Sequence, residues 1–168
     1  MNSGHLKNNL RFDTVLKFLA ALALVSLMLI SCRMGVKTRA LVGGKLEIAV
    51  EVARDANMNS PVAVELVVIY DDKLMEQLMT MSAKNWFQAK KQIKKDYLEG
   101  EGFDSWLWEW VPGQEVPIQK LPLKARAEGA VMFAGYLSPG DHRSKIDPFK
   151  NVTVRLLEKD FAVFYEED

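Results

Sequence analysis

From Lys45 the chain alternates between apolar and polar positions. Leu46, Ile48, Val50 and Val52 are apolar, while Lys45, Glu47 and Glu51 are charged, so the period of two predicts a half-buried strand over 45–52. Asp55-Ala56-Asn57-Met58-Asn59-Ser60-Pro61 gathers residues that favour turns, and the β-branched run Val62 to Tyr70 predicts a second strand. The period then changes. Asp71-Asp72 can cap a helix whose apolar residues Leu74, Met75, Leu78 and Met79 recur at spacings of one, three and four. Ser82 is a fair N-cap for a second helix, with Trp86, Phe87, Ile93 and Tyr97 mostly on one stripe and Lys84, Lys90, Lys91, Lys94 and Lys95 on the other face. After Gly100 and Gly102, Phe103 to Val111 alternates again and carries Trp106, Trp108 and Trp110 on one face. Pro112-Gly113 turns the chain, Glu115 to Leu123 is extended with prolines that favour an edge, and Ala130 to Leu137 is a further apolar strand. Pro139 to Arg143 reads as a loop, Val152, Val154 and Leu156 alternate, and Phe161 to Tyr165 closes the pattern. Roughly seven strands, with helices inserted after the second at about 71–97, predict a mainly β (α+β) two-sheet β-sandwich over 45–168.

The first thirty-odd residues follow another pattern. Lys7, Arg11 and Lys17 with the single acid Asp13 precede the apolar run Phe18 to Ile30, broken only by Ser26. The run is shorter than the roughly 17 residues a spanning helix needs and fits the h-region of an export signal. It ends in Leu29-Ile30-Ser31-Cys32, which resembles the bacterial lipobox and places the single Cys of the chain at its acceptor position. The resemblance implies cleavage after residue 31 and acylation of Cys32, with residues 32–44 as a tether; Arg33, where Asp would retain the protein at the inner membrane, implies sorting to the outer membrane. The alternative is an uncleaved anchor helix with an incidental Cys. Two or more acyl chains give a stable attachment where one would be marginal, since each buried methylene contributes about 0.8 kcal/mol.

With 49% hydrophobic residues in 168, the chain can bury a real core, which argues against disorder. Basic and acidic side chains number 22 each, so no strongly basic face is available for nucleic acid. Losing residues 1–31 would remove three bases and one acid and leave a mildly acidic domain, poorly suited to lying flat on anionic headgroups. One Cys and two distant histidines, His5 and His142, offer neither an internal disulfide nor a zinc site, so no metal and no cofactor other than the lipid on Cys32 is expected.

Candidate chemistry is sparse. The three indoles could form a sugar-stacking platform, but large aromatics more often line a core, here expected beneath the inserted helices. His142, beside Asp141 and Arg143, has no nucleophile motif to serve and reads as an exposed or capping loop residue. The lysine-rich helical face reads as a solvated surface, with an acidic partner or lipid headgroups as the alternative. Asn151-Val152-Thr153 matches a glycosylation sequon, which a bacterial export signal discounts.

The lipobox, a sandwich of this size, the helical insertion and the lack of catalytic apparatus together resemble the TssJ family, outer-membrane lipoproteins of type VI secretion systems. Ser60-Pro61-Val62-Ala63-Val64-Glu65-Leu66 with Tyr70, the Trp86-Phe87 helix, Val111-Pro112-Gly113-Gln114, and Ala130 to Tyr136 followed by Asp141-His142-Arg143 match its patterns in order over 45 to about 160. Gln114 stands where Glu is usual, His142 where Trp is usual, and the loop between the first two strands is shorter than the family's and lacks its Asn-Pro element. The resemblance implies a transthyretin-like sandwich with no enzymatic role that binds the periplasmic domain of a TssM-like inner-membrane protein within a multi-subunit envelope complex. It also implies that the contact is made by Asp55, Ala56, Asn57, Met58 and Asn59, where Met58 is either an adaptable apolar anchor or ordinary loop packing. The competing class is an envelope module that binds carbohydrate or another ligand through Trp106, Trp108 and Trp110.

Overall fold

The computed structural model describes residues 44–165, which form two four-stranded sheets. The strands are β1 (Lys45–Val52), β2 (Val62–Ile69), β3 (Phe103–Trp110), β4 (Gln119–Pro122), β5 (Gly129–Gly135), β6 (Arg143–Ile146), β7 (Val152–Leu156) and β8 (Phe161–Tyr165), and the helices are α1 (Asp72–Met79) and α2 (Ala83–Asp96). One sheet has the order β4-β1-β7-β8 and the other β3-β2-β5-β6. Only β1 and β7 are parallel, in the register Ile48↔Val152 to Val52↔Leu156; all other neighbours are antiparallel.

Two packed layers account for the patterns. Val62, Val64, Leu66 and Val68 of β2 pack with Leu46, Ile48, Val50, Met132, Val154 and Leu156 between the sheets. The alternate positions Val67 and Ile69, with Phe103, Val131 and Phe133, are covered by Leu74 and Leu78 of α1 and Trp86 and Ile93 of α2. Sheet β3-β2-β5-β6 therefore lies between the other sheet and the helices. That is why β2 and β5 read as continuous apolar runs whereas β1, with one polar face, alternates. Both helices start where the caps predict: the Asp71 carboxylate accepts from the Leu74 N–H at 2.9 Å, and the Ser82 hydroxyl from the Asn85 N–H at 3.3 Å. The Trp86 ring stacks on Phe133 with centroids 5.1 Å apart, holding α2 to β5.

Four expectations are revised. The indoles of β3 face the core between the sheets rather than the one beneath the helices: Trp110 is buried there, Trp106 and Trp108 pack against it at its edge, and Trp108 stacks on Trp110. The lysine face of α2 is divided. Lys84, Lys91 and Lys95 are not drawn into the core, but Lys90 and Lys94 reach down to Glu65, a fully buried carboxylate in β2. Lys90 Nζ donates to Glu65 Oε2 at 2.8 Å, Trp86 Nε1 donates to the same oxygen at 3.0 Å, and Lys94 Nζ stands 3.3 Å from Oε1. A carboxylate taken from water needs such partners, so the two cations help pin α2 to the sheet. His142 is buried rather than exposed, with Nδ1 3.0 Å from Asp160 Oδ1 and Nε2 2.8 Å from the Ser138 carbonyl. Residues 143–146, where the sequence pattern predicts no strand, form β6 against β5.

Tyr70 closes the far end of β2. Its hydroxyl donates to Asp104 Oδ2, which also receives Lys124 Nζ at 2.8 Å, and the Arg126 guanidinium lies 4.7 Å from the ring centroid. Burial first, then the neighbouring carboxylate, keeps the phenol protonated well above its ordinary range. Burial pushes the Asp104 carboxyl up, but the bonds from Lys124 and Tyr70 outweigh it and hold it below the usual range.

Candidate docking surface

Three loops meet at one end of the sandwich, and the loop between β1 and β2 organises them. Its residues Ala56–Asn59 make a single turn in which Asn57, Met58 and Asn59 are left-handed, with φ of 48°, 54° and 60°. L-residues avoid this region, and Asn tolerates it better than Met does. The turn is held from several sides. Asn57 is buried; its Nδ2 donates to the Pro61 carbonyl at 2.8 Å and its Oδ1 accepts the Leu137 N–H at 2.7 Å. The backbone N–H groups of Asn57 and Met58 donate to the carbonyls of Leu157 and Glu158, each at 3.1 Å. Segment 157–160 is itself locked to the β5–β6 loop, since the Ser138 hydroxyl donates to the Lys159 carbonyl and His142 meets Asp160. Gly140 makes room for that imidazole, because a Cβ there would stand 2.7 Å from His142 Cε1.

This framework presents apolar side chains to water. Met58 is 43% exposed, Leu137 65% and Leu157 45%, and they project from three segments that are directly hydrogen-bonded to one another. A strained non-glycine backbone held in place by its surroundings is characteristic of a functional loop. Of the five residues expected to contact a partner, Asp55, Met58 and Asn59 offer their side chains to solvent, while Ala56 and Asn57 are buried and support the turn. The sequence pattern places Leu137 at the end of the apolar run from Ala130 and gives neither it nor Leu157 a part in a surface, because a lone Leu just past a strand end carries no period. Cys32 lies outside the described residues.

Among the described residues no second constellation competes. Among the described residues no three His, Cys, Asp or Glu side chains gather to hold a metal ion. The indole face of β3 is turned onto the core, so it offers no open shelf for a sugar ring. A cleft between the N-terminus of α2 and the β5–β6 loop, lined by Ala83, Lys84, Tyr136 and Pro139, borders the same end of the molecule.

No protein-family model matches the chain, and no curated protein matches it in sequence. Its architecture does match solved structures. The T6SS lipoprotein TssJ1 from Pseudomonas aeruginosa superposes with a TM-score of 0.58 at 13% identity, over 75% of this chain and 98% of that one. Serratia marcescens Lip, a membrane-bound component of the type VI secretion system, gives 0.54 at 13% identity over 71% and 96%. A chain of a type VI membrane complex gives 0.54 at 15% identity over 71% and 97%. The chain is TssJ-like in fold. The match takes in nearly the whole of each of these chains.

Proposed function

We propose that this chain is an outer-membrane-anchored lipoprotein, held by acyl chains on Cys32 and facing the periplasm, that tethers a type VI secretion membrane complex by binding the periplasmic domain of a TssM-like inner-membrane protein. The observation that carries the reading is the left-handed turn that holds Met58 out beside Leu137 and Leu157. A small apolar cluster on a preorganised frame is what an interface hot spot requires, because little ordering entropy remains to be lost on binding. Asp55 and Asn59 at its rim would orient the partner. The TssJ-like fold supports the same reading, as does the lipobox at Leu29-Ile30-Ser31-Cys32.

The test is affinity purification of the full-length protein from detergent-extracted membranes, comparing wild type with Met58→Asp, Leu137→Asp and Cys32→Ala. The expected result is one large inner-membrane protein with the wild type, at least about tenfold less of it with either Asp variant, and loss of Cys32→Ala from the outer-membrane fraction. Undiminished recovery with both Asp variants would refute the surface. Recovery of no inner-membrane protein with the wild type would refute the tether.

A further inference from the structure

The two sheets end in four edges among the described residues, and three of these are blunted. β4 has four residues, follows Pro117 and ends at Pro122; β6 has four and carries Arg143 and Lys145; β8 has five and runs into the acidic Glu166-Glu167-Asp168. Short length, proline and charge are the devices that keep sheet edges from pairing with other chains. β3 is neither short nor interrupted by proline, and its two charges, Asp104 and Glu109, are both acidic. It is eight residues long, without Pro, Lys or Arg, and it pairs with β2 in unbroken register from Val62↔Trp110 to Ile69↔Phe103.

The hydrogen-bond parity tells which groups face outward. The Tyr70 N–H donates to the Gly102 carbonyl at 2.9 Å, and the two residues lie opposite each other when the β2–β3 register is continued, so the even-numbered residues of β3 bond to β2. The N–H and C=O of the odd-numbered residues point away from the sheet. Gly100 N–H caps the Phe103 carbonyl at 2.7 Å, which leaves the edge groups of Ser105, Leu107 and Glu109 without a backbone partner among the described residues. Leu107 stands in the middle of them, 55% exposed.

We propose that β3 pairs antiparallel with β3 of a second copy of this chain, with Leu107 on the two-fold axis, joining the two four-stranded sheets into one. The strand is complementary to itself in this register. Leu107 meets Leu107, Trp106 meets Trp108, and Ser105 meets Glu109 of the other copy, with no like charges opposed. Ser105 Oγ accepts from Lys94 Nζ at 2.8 Å and donates to Glu99 Oε1 at 3.3 Å, so the incoming Glu109 carboxylate meets the Lys94 cation and takes the place of Glu99 at the hydroxyl. Three residues on each strand, each with one donor and one acceptor, would close about six backbone hydrogen bonds. Shifting the register by two residues in one direction opposes Glu109 to Leu107, and in the other it opposes Glu109 to Phe103; either shift loses the pairing with Lys94. An isologous contact of this kind closes on itself instead of propagating. It uses a different surface from the Met58 end and does not depend on the partner proposed there.

The experiment is disulfide trapping in cells that make the full-length protein, with Leu107→Cys compared with Val111→Cys, the latter of similar exposure at 50%. Across a hydrogen-bonded antiparallel pair, two Cys at 107 have Cα atoms about 5.5 Å apart, within disulfide reach. Two at 111 are about 26 Å apart, eight strand steps of roughly 3.3 Å. Mild oxidation is expected to shift most Leu107→Cys protein to twice the monomer mass on a non-reducing gel, with at least about tenfold less for Val111→Cys and for wild type, which carries the same Cys32. Co-expressed Ser105→Cys and Glu109→Cys chains should cross-link to each other more than either does to itself. Equal yields at 107 and 111 would mean random collision and would overturn the proposal, as would absence of the dimer with normal protein levels. An adduct of Leu107→Cys with a chain of another mass would also overturn it, and would give the edge to a foreign strand.

Discussion

Replacing Met58 with Gly separates the strain of the left-handed turn from its use. Met58 sits at φ 54°, ψ 48°, a conformation that costs an L-residue roughly 1–2 kcal/mol, and Gly removes that cost. Gly in turn gives the unfolded chain more freedom, worth about 0.4–1 kcal/mol against folding. Met58 belongs to neither core cluster and is nearly half exposed, so truncation loses about 1 kcal/mol of apolar burial. The three contributions nearly cancel. Stability should therefore stay within about 1 kcal/mol of wild type, or within about 4 °C in Tm for a domain of this size. Urea and thermal unfolding of the detergent-extracted protein, followed by tryptophan fluorescence, measures this, and co-purification of the proposed inner-membrane partner measures binding. Binding should fall at least about tenfold. Met58→Asn keeps a residue suited to φ > 0 and should lose binding equally; if it alone retained binding, rigidity rather than the thioether would be what the partner requires. A loss of more than about 2 kcal/mol for Met58→Gly would show that the side chain packs and the turn is not strained there, and full binding by both variants would remove Met58 from the interface.

Asn57→Ala should cost about 2–4 kcal/mol in denaturant unfolding, since it deletes two hydrogen bonds, strands the Leu137 N–H and puts Ala at φ 48°; a cost under about 1 kcal/mol would mean water replaces the amide. Lys90→Ala with Lys94→Ala should destabilise more than Glu65→Gln by calorimetry, because the first leaves a buried carboxylate without a cation while the second leaves two lysines that can turn to water; the reverse order would refute the ion-pair account. Asp104 titrates below its unfolded value, so its stabilisation is present above the unfolded pKa and lost as pH falls through the folded one. Tyr70 titrates above its unfolded value, so its contribution holds below that value and is lost as pH rises past it. Asp104→Asn should accordingly flatten both the acid and the alkaline limbs of the Tm–pH curve, and a curve unchanged at either end would exclude that residue from it. Gly140→Ala should displace the His142 ring, cost about 1–3 kcal/mol and expose the 157–160 segment to proteolysis; wild-type cleavage would contradict the lock.

The sandwich was readable wherever one face of a strand meets water. β1 alternates because its outer face is solvated, and α1 and α2 begin at Asp71 and Ser82 because an orphan N–H there needs a side-chain acceptor. Parity assigned the three indoles to one face of β3 but could not say which layer that face meets, since β2 beside it is apolar on both sides. β6 has a single buried apolar residue, Ile146, in four, too few to show a period. Helical spacing grouped five lysines together and missed that Lys90 and Lys94, four apart, point inward; the signal was Glu65, an acid in an otherwise apolar strand that had to find a counter-charge. At the candidate surface the turn-forming composition of 55–61 was legible. Three consecutive left-handed residues were not, because Met58 adopts that conformation only under hydrogen bonds from segments about 80 and 100 residues away.

The parallel pairing of β1 with β7 decides how the domain bears load. β1 is an inner strand, bonded to β4 on one side and β7 on the other, and it is the first strand after any tether. Tension drawn through the residues ahead of Lys45 therefore runs along β1 and loads the hydrogen bonds on both its sides, perpendicular toward β4 and slanted toward β7, so that two ladders must shear together rather than unzip rung by rung. An edge strand in that position would peel. The tether proposed above is hung from the middle of a sheet.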